Sequence, residues 1–153
     1  MYLGPMNGMD LALLGRTLMK LGEAAIPTEG IGVHGTSTQS VIIVAADIKA
    51  HPGTPVKDIA TRTGFPQSKV SACVARLREA GAVETRTDPA DRRRTLIAPS
   101  PAVSPRVAEV RSADIDGVLV RVLEDPARLE EVKAALGVIA EHLGPSALTR
   151  IGG

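Results

Sequence analysis

The periodicity of the chain changes at Gly81, and that change narrows the folds open to it. Before the glycine, Val70, Cys73, Val74 and Leu77 recur at helical spacing; after it, "AVETRT" and "RTLIA" alternate around the polar turn "DPADRR". A helical period that gives way to a period of two through a glycine predicts a helix stopped by a left-handed residue, with a β-hairpin directly behind it. The turn is too long for a two-residue loop, and Asp88-Pro89 favours turn initiation, so the hairpin tip should project.

The helix ahead of the hairpin spans about residues 66–80. Its outer face carries Gln67, Ser68, Lys69, Ser71, Ala72 and Arg76. "TGFPQ" precedes it, with Gly64 placed for a left-handed backbone, and ahead of that a short helix over about 55–62 is expected, with Thr54 as N-cap and Pro55 at its first position. Two helices joined by a glycine turn, the second bearing hydrogen-bonding side chains at its start, have the sequence form of a helix-turn-helix.

Four further helices flank this unit. Leu11, Leu14, Leu18, Leu21 and Ala25 define a narrow seam that stops before Pro27, with Asp10 as its expected cap, and a mostly buried helix follows at about 37–49. After "PSPAVSP", Ser104 and Pro105 should start one long helix running to about Glu124, roughly 30 Å at 1.5 Å per residue. Asp125-Pro126 repeats that device for a last helix to about His142. The expected fold is mainly α with a small β-hairpin wing, a winged helix-turn-helix with a helical dimerisation region. Its parts are an N-terminal arm and dimerisation helix (1–36), a DNA-binding lobe (37–99) and C-terminal dimerisation helices (100–153). Leu11, Leu14, Leu18 and Leu21 with Leu136, Ile139 and Leu143 are the expected homodimer seam.

Charge distribution supports a polyanionic partner. The formal net charge is only +1, yet Lys57 to Arg94 holds nine basic and five acidic residues, leaving the remainder at −3. One segment is thus polarised against the rest, as expected if only that segment meets nucleic acid. Tyr2 and Phe65 are the only aromatic residues, so the core is aliphatic and holding single strands by base stacking on aromatic platforms is largely excluded. No long apolar run predicts a membrane span, no leader is evident at the N-terminus, and a cytoplasmic location is expected.

The run "GAVETRTDPADRRRTLIAPS" resembles the wing of MarR-type transcriptional regulators, with Gly81, Val83, Glu84, Arg86, Asp88, Pro89, Asp91, Arg92 and Arg93 all matching, and "VKDIATRTGFPQSKVSACVARLREAG" resembles that family's helix-turn-helix. The resemblance implies a homodimeric, ligand-responsive repressor that binds a pseudopalindromic operator in double-stranded DNA. It makes Arg93 the minor-groove finger. On chemical grounds Asp91 can accept from the Arg93 guanidinium and brace it, Asp88 can cap the turn, and Arg92 and Arg94 suit phosphate, with Arg86 on the same wing. Gln67, Ser68, Lys69, Ser71 and Ala72 would face base edges, and Arg76 a phosphate. Ala72 and Thr85 depart from the family's basic residues, so the bases read should differ. The resemblance further implies a small anionic or phenolic effector between base and lobe, lined by "GVHGTSTQ" and the start of the long helix.

Other readings remain open at this stage: a chromatin-like protein without sequence preference, a winged helix that binds only proteins, or a wing whose charges merely stabilise a solvated turn. The chain presents no nucleophile–base–acid set and no phosphate-cradling glycine loop, so no catalytic residue is expected, and neither metal nor cofactor. Cys73 faces inward as an inert thiol, and His34, His51 and His142 are expected to serve structure alone.

Overall fold

Capping chemistry sets where the helices begin. The computed structural model describes residues 4–27, 36–102, 104–144 and 147–151, with the backbone alone at 148 and 149. Helix α1, Gly8–Ala25, is capped by Asn7, whose side chain accepts from the N–H groups of Met9 and Asp10 while Asp10 accepts from the Asn7 N–H. Asp10 is therefore the far half of a capping box and not the cap itself. Ser37 caps α2, Thr38–Ala50, by accepting from the Ser40 N–H. Gly64 ends α3, Val56–Thr63, at φ 74°, and Gly81, also at φ 74°, follows α4, Gln67–Glu79.

Thr54 and Pro55 do not start α3 as expected. They form a short strand, β1, Thr54–Pro55, beside the hairpin of β2, Val83–Thr87, and β3, Thr95–Pro99, in the antiparallel order β1-β3-β2. Thr54 pairs with Ile97 and Pro55 with Leu96, which stitches the entry of α3 to the root of the wing. Proline tolerates this edge position because no ladder N–H is asked of it.

The core lies inside the lobe. Val44 and Ile48 of α2, Ile59 of α3, Val70, Cys73, Val74 and Leu77 of α4, and Val83 and Ile97 of the sheet form one buried aliphatic cluster. Each such side chain contributes about 1.5–3 kcal/mol on burial, so this cluster fixes α4 and the wing relative to each other.

The expected long helix is interrupted. Helix α5 covers Pro105–Arg111 and α6 covers Asp116–Val122, with a break between them. At the break the Ser112 hydroxyl donates to the Glu109 carbonyl, and Asp114 accepts from the Asp116 N–H at 2.8 Å. Such local side-chain bonds compete with the helical ladder. A 3-10 turn, Pro126–Arg128, capped by Asp125, leads into α7, Leu129–His142, and a short helix not anticipated from the sequence, α8, spans Ala147–Ile151.

Two hydrogen bonds tie the start of α5 to earlier parts of the chain, one to the lobe and one to the segment that follows α1. The Ser104 hydroxyl caps α5 and donates to the Ala80 carbonyl at 2.8 Å, while Arg106 donates to the Pro27 carbonyl at 2.9 Å. Among the described residues no helix is long and apolar enough to cross a membrane.

Candidate nucleic-acid interface

Helix α4 turns Gln67, Ser68, Ser71, Ala75 and Arg78 to solvent, with Lys69 and Ala72 half-buried at the edge of that face. The Lys69 ammonium lies 4.1 Å from the centre of the Phe65 ring, so a cation–π contact holds it beside the turn into α4.

Arg76 is not on this face. It is only 9% exposed, and its Nη1 donates to both the carbonyl and the hydroxyl of Thr36, at 2.6 and 3.0 Å. The phosphate contact expected of Arg76 is therefore corrected to an internal tie. The exposed arginine is Arg78, and spacing could have found it: Arg78 lies seven residues after Ser71 on the same face, whereas Arg76 lies five after it, about 140° away around the helix.

The wing is ordered by its own backbone and two carboxylates. Asp88 accepts from the Ala90 N–H at 2.9 Å, as expected of a turn cap, and its own N–H donates to the Arg94 carbonyl. Asp91 accepts from the backbone N–H of Arg93 at 3.0 Å. The expected brace on the Arg93 guanidinium is thus corrected: Asp91 holds the backbone of Arg93 and fixes where its side chain starts. Arg92, Arg93 and Arg94 are all exposed on the tip. Arg86 is exposed too, and its Nη2 passes over Gly53, 3.7 Å from where a Cβ would sit.

An ion pair beneath supports both elements. Arg62 grips Asp47 through two bonds of 2.9 and 2.8 Å and donates to Thr54 Oγ1 at 2.6 Å, joining α3 to α2 and β1. Its hydrogen bond to Asp47 holds the Arg62 pKa above the usual arginine value.

Cys73 is fully buried in the core, and burial pushes its thiol up against the opposing pull of Lys69 and Arg76. His51 follows the C-terminus of α2 with Nδ1 3.3 Å from the Asp47 carbonyl, His142 ends α7, and His34 lies outside the described residues. Among the described residues no group of three or more metal-ligating side chains comes together.

The expected dimer seam divides. Leu18, Leu21 and Leu136 line an apolar cleft of about 180 Å³ with Gly22, Ile115, Val118 and Leu119. Leu11, Leu14, Ile139 and Leu143 face outward, Leu11 at 58% and Leu143 at 64% exposure, and neither α1 nor α7 buries a residue. In the expected effector crevice, residues 32–35 lie outside the described residues, while Thr36 is held by Arg76.

Residues 33–94, the span from the approach to α2 through the wing tip, match the sequence model of the MarR family. That segment is similar to MarR-family sequence. The MarR-type fold extends further along the chain. The apo form of MarR from E. coli is similar at TM-score 0.58 and 13% identity, covering 93% of this chain and 99% of its own. YusO from Bacillus subtilis gives TM-score 0.53 at 18% identity, over 87% of this chain and 91% of its own. The PcaV transcriptional regulator from Streptomyces coelicolor, crystallised with its natural ligand, gives 0.50 at 19%, over 90% and 96%. No curated protein matches the chain.

Proposed function

We propose that this MarR-type chain is a sequence-specific, DNA-binding transcriptional regulator that acts as a homodimer on a pseudopalindromic operator. The observation that carries this is the pairing of three exposed arginines on the wing tip with an exposed polar face on α4. Gln67, Ser68, Lys69 and Ser71 present donors and acceptors of the kind that read base edges, Ala72 offers a methyl to thymine, and Arg78 suits phosphate. Arg93 is the finger for the narrow, negatively charged minor groove, with Arg92 and Arg94 on the flanking backbone. The outward leucines of α1 and the apolar residues of α7 supply the dimer face, and two-fold symmetry sets recognition helices about one DNA turn apart. Ligand-responsive repression in the cytoplasm completes the proposal; PcaV, of like fold, has a natural ligand.

Selection of bound sites by the full-length protein from a random duplex library tests it. An enriched inverted repeat with half-sites about 10 bp apart, centre to centre, is the expected result. Retention without any motif would favour a chromatin-like protein, and no retention would favour a protein-binding winged helix.

A further inference from the structure

The pairing of β1 with β3 places the first turn of α3 beside the wing, and between them lies a cleft of about 570 Å³. Its walls carry Lys57 and Asp58 from α3 and Arg93, Arg94 and Thr95 from the wing. Lys57, Arg93 and Arg94 are exposed and make no ion pair among the described residues, while Asp58 lies in the field of Arg62. Three cations on facing walls of a concave surface, set against one carboxylate shared with another arginine, focus positive potential into the cleft.

Resting on the DNA-binding function proposed for this chain, we infer that the cleft grips the sugar-phosphate backbone of one DNA strand, with Lys57 of α3 as a further DNA-contacting residue opposite Arg94. The occupant is a polyanionic strand and not a free phosphate ion, because the cations come from two separate elements and the space far exceeds one phosphate group. The wing tip is continuous with the cleft, so a strand seated there runs on beneath Arg93 towards the minor groove. Lys57 makes no base contact in this arrangement; it adds affinity that is independent of sequence.

The test is the salt dependence of binding by the full-length protein to its selected site and to a mixed-sequence duplex of equal length. Each phosphate neutralised contributes about −0.9 to the slope of log K against log salt. Lys57→Ala should make that slope shallower by about 0.9 on both duplexes with the ratio of the two affinities unchanged, and Lys57→Arg should restore it. Inorganic phosphate at equal ionic strength should compete no better than chloride. An unchanged slope for Lys57→Ala in a protein that binds DNA overturns the role of Lys57 alone. Absence of salt-dependent binding by the unsubstituted protein overturns the DNA-binding function and this inference with it. Specific competition by phosphate at constant ionic strength overturns the strand as occupant.

Discussion

The guanidinium of Arg76 reaches Thr36, 40 residues earlier in the chain, and donates to its carbonyl at 2.6 Å. Helix α4 is thereby fastened to the segment that enters α2, and the fastening is buried at its α4 end. Removing it leaves the Thr36 carbonyl without this donor and a gap beneath α4. Arg76→Ala should lower unfolding stability by about 2–4 kcal/mol, from lost charge-assisted bonds and lost packing together. Chemical denaturation measures the loss, and a change below about 0.5 kcal/mol would show the tie to be idle.

On the proposed function, Arg93 contacts DNA and takes no part in the fold, where it is exposed on the wing tip. Arg93→Ala should weaken operator binding while leaving the unfolding midpoint and the oligomeric state as they were. Full retention of affinity at moderate salt would remove the minor-groove role.

Because Asp91 holds the backbone N–H of Arg93, a neutral acceptor of the same shape can replace it. Asp91→Asn should keep most of the operator affinity and Asp91→Ala should lose it. Equal loss in both variants would mean that the carboxylate charge, and not the turn it builds, is what binding needs.

Cys73 provides the pH-dependent prediction. Burial raises its folded pKa above the unfolded value of about 8.5. The unfolded chain therefore releases this proton first as pH rises. The associated stability is fully present below about pH 8.5 and falls as pH climbs through the folded pKa. Thiol reagents should label Cys73 only as fast as the lobe opens, and Cys73→Ser should leave DNA binding equally indifferent to peroxide. Rapid stoichiometric labelling of the native protein at neutral pH would contradict this burial.

Outward leucines should govern assembly. Leu11→Asp together with Leu143→Asp should yield a folded monomer in sedimentation experiments, with operator affinity reduced by orders of magnitude because one half-site alone remains engaged. A dimer that survives both changes would place the interface elsewhere.

The helix-turn-helix, the wing and the aliphatic core were legible because each rests on local pattern: glycines at φ 74°, the period of two behind Gly81, and inward spacing from Val70 to Leu77. Local pattern is silent on what meets across the chain. Thr54-Pro55 reads equally well as a helix start, and only its pairing with Ile97 and Leu96 makes it a strand. Arg76 reads as a surface cation until Thr36 is seen beside it. The interrupted helix was not legible, since Val107 and Ile115, like Val110 and Val118, lie eight residues apart, a same-face spacing that reads as one continuous helix.

That interruption changes the mechanics of the molecule. A continuous rod of about 30 Å would transmit twist from base to lobe; two seven-residue segments meeting at Ser112 to Ile115 behave as a jointed strut. The strut is tied near its start by two hydrogen bonds, Ser104 to the Ala80 carbonyl and Arg106 to the Pro27 carbonyl. In the proposed homodimer, such jointed struts should accommodate operators whose half-sites differ slightly in spacing or rotational phase, trading positional stringency for reach.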